Sequence, residues 1–261
     1  MRSGPRILLV ENDRVILEAV SDLLAARRYH VTKARDGLEG LEGFRKGPID
    51  LMILDLVLPK IDGCELCRII RQDERGRSLS IIVFSALAPQ EVARLPRLSA
   101  DAYVAKGPLT VVIPNILDAI KVVTRRRKRL GSQRVFGYEG FRPRQIMSEL
   151  LASRHYYQHL VHAGADVVIE LDPHAKILSA NVVALRLLGR SEAHVAGLPL
   201  AALLAPGDRV AFEGVLERMA RDPKRGAEVV ELTLGGARHR LRCCPVSDNG
   251  AIAGFLVTAG P

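Results

Sequence analysis

No apolar run in the sequence approaches the roughly 20 residues that a membrane-spanning helix needs, although 48% of its 261 residues are hydrophobic. The N-terminus places a positive charge before an apolar stretch, but that stretch is only Ile7 to Val10 and leads into acidic residues. This pattern argues against a signal peptide. The sequence therefore predicts a cytoplasmic protein without a membrane partner. Its length predicts two domains, because a single core usually stops growing at roughly 100–200 residues.

Cysteine is also scarce, with Cys64 and Cys67 in a C-x-x-C and Cys243 and Cys244 as a vicinal pair. A metal site built from cysteine would need both pairs to converge. Neighbouring residues on a strand point to opposite faces, so Cys243 and Cys244 cannot both face one ion without distortion. The four cysteines are therefore predicted to be reduced thiols.

Acidic residues are in the minority, and the formal net charge is +9. Much of the excess is local, in the run RRRKR at residues 125–129. A local run is weak evidence for a nucleic-acid partner, and a basic helix C-terminus also complements the helix dipole. No helix-turn-helix pattern is present. A nucleic-acid-associated regulator that uses this run is therefore the weaker alternative.

Short apolar runs alternate with segments of helical spacing in the first half, which is typical of βα repetition. The runs are Ile7–Val10, Tyr29–Ala34, Leu51–Leu54, Ile81–Phe84 and Ala102–Ala105. Strands this apolar must be buried on both faces. The sequence therefore predicts an α/β doubly wound domain with a parallel five-stranded sheet.

Polar residues follow these strands at the edge where functional residues of parallel sheets collect. They are Glu11, Asn12 and Asp13 after the first strand, Asp55 after the third, Ser85 at the end of the fourth and Lys106 after the fifth. This set suits phosphoryl transfer to a carboxylate. An aspartate is the nucleophile, oxygen ligands hold Mg²⁺, and a hydroxyl and an ammonium bind the remaining phosphoryl oxygens.

The segments ILLVEND, DLMILDLVLPKIDGCEL, IIVFSAL and DAYVAKGP carry a resemblance to the response-regulator receiver domain, placed at residues 1–125. The resemblance implies a flavodoxin-like fold and a histidine kinase as phosphodonor. It also implies no enzymatic activity beyond the domain's own phosphorylation and dephosphorylation. The implied site residues are Asp55 as phosphoacceptor, Ser85 as switch hydroxyl, Lys106 as phosphoryl contact and Tyr103 as aromatic switch. The implied Mg²⁺ ligands are Glu11, Asn12, Asp55 and the backbone carbonyl of Val57.

Two residues depart from the family pattern. Asn12 stands where the family usually has a second acidic residue, so the site loses one negative charge and Mg²⁺ affinity should fall. Asp13 occupies the next position, where it need not point inward. Gly107 separates Lys106 from Pro108, where the family more often has proline directly after the lysine. A receiver fold kept as a phosphorylation-independent scaffold therefore stays open as an alternative.

Residues 126–160 are interpreted as a basic, helical linker. Before it, Pro114 is predicted in the first turn of a helix, and glycines near 131–140 predict a loop. A second helix over 143–162 has heptad-like apolar spacing, which favours pairing with a second copy in a homodimer. His155 and His159 lie one turn apart on it without acidic ligands nearby, so a solvated helix face is predicted for them.

The second half has α+β order: two short strands around the turn DPHAK, several short helices, then three longer strands after about residue 227. Asn181 is placed to cap the helix NVVALRLLG. Over residues 161–261, the segment GADVVIELDPHAKILSANVVALRLLGRSEAHVAGLPLAALL resembles the PAS family. The resemblance implies a sensor or interaction domain with an antiparallel sheet.

The ligand of this second domain is not evident from the sequence. A flavin photoreceptor of the family would carry a cysteine in a GRNCRFLQ-like helix, and none is present. A haem sensor of the usual type would carry a histidine near 207–222, and that segment has none; His194 is predicted at the surface. Flavin and haem are therefore disfavoured, and a small-molecule sensor competes with a filled core that serves protein contact.

Together these features predict a two-component signalling protein. A histidine kinase phosphorylates Asp55, and the linker relays the phosphorylated state to the PAS domain and a downstream protein partner. The alternatives are the scaffold, the sensory front end of a separately encoded histidine kinase, and the nucleic-acid-associated regulator.

Overall fold

The computed structural model describes residues 4–86, 99–125, 134–137, 161, 164–222 and 226–259. The chain divides into two compact units, Met1–Ser153 and Arg154–Pro261. No helix within the described ranges is long and apolar enough to cross a membrane. All four cysteines lie in these ranges and none of them forms a disulfide.

The first unit is built around a parallel sheet with flanking helices. Within the described residues its strands are β1 (Arg6–Val10), β2 (His30–Ala34), β3 (Leu51–Leu54), β4 (Ser80–Ser85), β5 (Ala102–Ala105) and β6 (Arg134–Phe136). In the same described residues the helices are α1 (Arg14–Ala26), α2 (Gly37–Lys46), α3 (Gly63–Gln72) and α4 (Leu109–Arg125). The sheet order is β2-β1-β3-β4-β5-β6, with every pair parallel. The predicted doubly wound fold class is confirmed.

The core of this unit explains why the polar ends of the strands meet. Strands β3 and β5 are buried along their whole length, and one face of the sheet packs against apolar side chains of α1 and α4. On the other face, Gly40 of α2 lies against Val10. Because the strands are parallel, the residues that follow β1, β3 and β5 emerge at one edge of the sheet.

The sheet has one strand more than predicted. β6 lies in the stretch predicted as a linker loop, and its partner is β5. Three residues are too few for apolar alternation to identify a strand. The strand forms because Phe136 packs against the core cluster of α1 and α4.

The prediction for Pro114 was wrong: α4 begins at Leu109, and Pro114 lies inside it. The backbone N–H groups of Val111 and Val112 donate to the Pro108 carbonyl at 2.9 and 3.0 Å, so the helix starts one turn earlier. Pro108 was the better start signal, since proline is favoured at a helix N-terminus.

The second unit is an α+β domain with an antiparallel sheet, as predicted. Its strands are β7 (Val167–Leu171), β8 (Ile177–Ala180), β9 (Glu228–Leu234), β10 (Ala237–Asp248) and β11 (Ala251–Ala259), in the order β8-β7-β11-β10-β9. Its helices are α5 (Val182–Leu188), α6 (Glu192–Val195), a short 3-10 helix (Leu200–Leu203) and α7 (Pro206–Arg221). These helices and one face of the sheet enclose a single apolar core. His194 is exposed, as predicted.

Asn181 ties three parts of this unit together. Its buried Oδ1 accepts from the N–H groups of Ala184 at 2.9 Å and Val168 at 3.2 Å, and its Nδ2 donates to the carbonyl oxygens of Asp166 at 2.7 Å and Val161 at 3.3 Å. The predicted helix cap is therefore also a link between β7, α5 and residue 161.

We expect Asn181→Ala to lower the free energy of unfolding of this unit by about 2–3 kcal/mol, because it leaves several buried backbone groups without partners. Amide exchange of β7 in urea measures the loss. Ser179→Ala is the control in the same unit, since the Ser179 hydroxyl donates one exposed hydrogen bond, to the Glu170 carboxylate at 3.4 Å. Equal losses for the two variants would contradict the role given to Asn181.

Candidate functional site

Three charged side chains meet at the carboxyl edge of the first sheet. Lys106 Nζ lies 2.7 Å from Asp55 Oδ2 and 2.7 Å from Glu11 Oε2. Glu11 and Asp55 are only 0% and 3% exposed. The predicted residues after β1, β3 and β5 are therefore brought together around one ammonium group.

The charges of this cluster hold one another in place. Burial raises the pKa of Asp55, and burial together with the nearby Asp55 charge raises the pKa of Glu11. Burial alone would lower the pKa of Lys106, but the charges and hydrogen bonds of Asp55 and Glu11 outweigh it and raise that pKa. Two buried carboxylates with one ammonium leave an excess of negative charge, which a bound cation would offset.

Local turns fix the two carboxylates. The Glu11 carboxylate accepts from the Asp13 N–H at 3.0 Å, and the Val57 N–H donates to Asp55 Oδ1 at 3.2 Å. Gly63 is required behind Asp55, because a Cβ there would lie 2.1 Å from the Asp55 carbonyl oxygen. The glycine of the Asp62–Gly63 pair thus lets α3 start directly beside the loop that carries Asp55.

The Asp13 carboxylate does not make up for the carboxylate that is missing at position 12, where this chain has Asn12. Its Oδ1 caps α1 by accepting from the N–H groups of Val15 at 2.9 Å and Ile16 at 3.1 Å. Asn12 itself is exposed. Helix capping is a common use of aspartate at this position, and it commits the Asp13 carboxylate to the backbone.

The donor chemistry of the site fits a hard divalent cation with fewer charges than usual. Among the described residues no group of three His, Cys, Asp or Glu side chains is arranged to hold a metal. The two buried carboxylates of Glu11 and Asp55 are oxygen donors of the kind that Mg²⁺ prefers. Their chemistry therefore fits Mg²⁺.

Ser85 and Tyr103 lie on neighbouring strands close to this edge. Ser85 ends β4, is 1% exposed, and accepts the Lys106 N–H on its backbone carbonyl at 2.9 Å. Tyr103 lies in β5, paired in register with Val83, and is 2% exposed. The structure thus places both residues next to the strand end that carries Lys106.

One contributor was missed by the sequence analysis. The Phe84 ring lies under Lys106, with the ammonium 5.2 Å from the ring centroid. Such a cation–π contact stabilises the charged ammonium group. Phe84 was identified as part of a buried strand, but its position directly before Ser85 could have suggested this contact.

Two family models match the chain, one for each unit. The response regulator receiver domain matches residues 7–116, and the PAS fold matches residues 161–260. The chain is therefore a response regulator receiver domain followed by a PAS domain. That is the domain composition of a two-component signalling protein.

Relatives share either the receiver part or nearly the whole chain. The DNA-binding dual master transcriptional regulator RpaA of Synechocystis is 34% identical over 48% of this chain and 52% of its own length. The sensor histidine kinase TmoS of Ectopseudomonas mendocina is 26% identical over 95% of this chain and 25% of its own length.

A solved receiver domain is also similar. The receiver domain of sensor histidine kinase PA1611 from Pseudomonas aeruginosa, crystallised with magnesium in its cleft, is 28% identical over 48% of this chain and 98% of that one, with a TM-score of 0.41. The chain spans about half the length of the first curated relatives that it matches.

Proposed function

We propose that Asp55 accepts a phosphoryl group from a histidine kinase and that the phosphorylated state is relayed to the PAS domain. Receiver domains take phosphoryl groups from histidine kinases and act on downstream partners. The observation that carries the proposal is the buried Asp55 carboxylate held 2.7 Å from Lys106 Nζ. Burial raises the pKa of Asp55, and the Lys106 ammonium acts against that rise and favours the ionised carboxylate that is needed as nucleophile.

Each remaining residue has a role that its position supports. Glu11, Asn12, Asp55 and the Val57 carbonyl would hold Mg²⁺, and receiver domains generally bind Mg²⁺ in this cleft. When bound, the cation neutralises charge on the phosphoryl oxygens. Lys106 binds a phosphoryl oxygen, the Ser85 hydroxyl binds another, and Tyr103 responds from the neighbouring strand.

The stretch 126–160 serves as the connection between the domains. Its residues Arg134–Phe136 belong to the receiver sheet. The basic residues 126–129, both histidines and, apart from Val161, the proposed pairing helix over 143–162 lie outside the described residues. The PAS domain would bind a downstream protein partner or a small molecule.

A mass shift tests the proposal directly. Incubation of the full chain with Mg²⁺ and a small acyl phosphate is expected to add one phosphoryl group, and Asp55→Asn is expected to abolish the addition. Asp118→Asn is the matched control, because Asp118 is an exposed carboxylate of α4 paired with Lys121. An unmodified wild-type protein, or equal labelling of Asp55→Asn, would refute the proposal and favour the phosphorylation-independent scaffold.

A second candidate is favoured by the match to TmoS, which covers both domains and the connection in one stretch. In this candidate the chain is a receiver and PAS front end that controls a histidine kinase, rather than a protein that only receives its signal. Phosphorylation of a purified kinase partner, measured with the wild-type chain and with Asp55→Asn, separates the two. A rate that depends on Asp55 favours the front end.

A further inference from the structure

β6 is the last described strand of the receiver before the chain leads to the PAS domain. It pairs in parallel with β5 in the register Ala102 with Arg134, Tyr103 with Val135 and Val104 with Phe136. Three residues form few ladder hydrogen bonds, and within the described residues β6 has a strand neighbour on one side only. Such a strand belongs to the least stable parts of a domain.

Two contacts hold β6 and the turn after it against the rest of the receiver domain. Phe136 packs against the core cluster shared with α1 and α4. Gly137 turns the chain with φ +75°, and a Cβ there would lie 2.5 Å from Asn115 Nδ2 of α4. Only glycine fits this turn without strain, so the exit of the chain from β6 is set against α4.

β6 also lies beside the proposed switch residue. Ala102 and Val104 face the α1 and α4 side, so Tyr103 faces the opposite side, because side chains alternate along a strand. Val135, its partner in register, faces the same way and is 45% exposed, while Tyr103 is 2% exposed. Val135 therefore lies beside Tyr103 on the face of the sheet opposite α1 and α4.

The sheet order gives the direction of the coupling. Asp55 follows β3 and Glu11 follows β1, and both strands lie on the side of β5 opposite to β6. Lys106 follows β5 directly and bonds both carboxylates. A phosphoryl group on Asp55 would contact Lys106, which directly follows β5, and Ser85, which ends β4.

We propose that β6 is a releasable strand. A phosphoryl group on Asp55 weakens the pairing of β6 with β5, and this loss of pairing is passed on to the segment that leads to the PAS domain. The inference rests on the proposed function of Asp55. On the PAS side, Asn181 Nδ2 donates to the Val161 carbonyl at 3.3 Å.

Amide exchange of the full chain tests the inference, with beryllofluoride and Mg²⁺ as the phosphoryl analogue. Exchange in residues 55–62 reports whether the site is occupied, and exchange in residues 134–137 reports β6. We expect slower exchange in the first segment and about tenfold faster exchange in the second, the change that a modest shift in a local opening equilibrium produces. In Asp55→Asn neither segment should change.

The outcomes separate the inference from the function on which it rests. Protection of residues 55–62 with unchanged or slower exchange in 134–137 overturns the releasable strand and leaves Asp55 as phosphoacceptor. No change in either segment overturns both. Faster exchange in 134–137 that persists in Asp55→Asn also overturns the coupling, since it would then be independent of the site.

Variants of two glycines give a second measurement without any phosphoryl analogue. Gly137→Ala should release β6 and raise exchange in 134–136 to the level reached with the analogue. Gly47→Ala is the control, because nothing lies within 4 Å of a Cβ placed there. If Gly137→Ala leaves exchange in 134–136 unchanged, the turn does not hold β6 and the proposal fails.

Discussion

Replacing Lys106 by methionine is expected to lower the free energy of unfolding of the receiver domain by about 3–5 kcal/mol in the absence of divalent cations, because removal of one partner leaves buried charges uncompensated. The two carboxylates that Lys106 bonds are 0% and 3% exposed, so they gain little solvation when the ammonium is lost. Methionine keeps much of the side-chain volume, which separates loss of charge from loss of packing. Urea unfolding followed by amide exchange of β1 and β3 measures the loss.

Mg²⁺ should raise the free energy of unfolding of Lys106→Met by more than it raises that of the wild-type protein. A divalent cation bound by Glu11 and Asp55 supplies the positive charge that methionine lacks, so saturating Mg²⁺ should restore part of the lost stability by mass action. Lys121→Met is the control, because Lys121 forms an exposed pair with Asp118 in which the two side chains are 60% and 57% exposed. Exposed pairs contribute only about 0–1 kcal/mol. If Lys106→Met loses no more unfolding free energy than this control, the charges of Glu11, Asp55 and Lys106 do not stabilise the receiver domain.

The receiver fold could be predicted because its central strands are mostly apolar, although the edge strand β2 is exposed at three of its five positions. A run such as Leu51–Leu54, buried at every position, fits a parallel sheet covered on both faces. The polar residues after each run then converge by topology alone. The contact of Lys106 with Glu11 as well as Asp55 could not be predicted, because it depends on the side-chain conformation of Lys106.

Residue type alone could not tell which of two neighbouring valines faces the PAS core. Val229 is 53% exposed, whereas Val230 is 8% exposed and faces the core. A period of two allows only one of them inside, and the register is set by pairing with β10. Val182 is likewise 44% exposed, because the first residue of α5 precedes the face that packs on the sheet.

Asp13 shows why the metal site could be predicted only in part. Its sequence position left open whether the carboxylate faces the site or the helix. In the structure the Asp13 carboxylate accepts hydrogen bonds from the N–H groups of Val15 and Ile16. An extended residue before a helix places its side chain over the first turn. The charge that Asn12 removes is therefore not returned by its neighbour.

Asn12→Asp is expected to tighten Mg²⁺ binding by about tenfold to a hundredfold. A unit charge within about 4 Å of a divalent cation contributes several kcal/mol before the cost of its own desolvation, and each 1.4 kcal/mol that remains is a factor of about ten. Titration calorimetry of the full chain with Mg²⁺ measures the change. Asn249→Asp is the matched control, since it adds the same charge at an exposed turn of the PAS domain. Unchanged affinity in Asn12→Asp would mean that residue 12 is not a ligand, and Glu11 and Asp55 would then hold the cation without it.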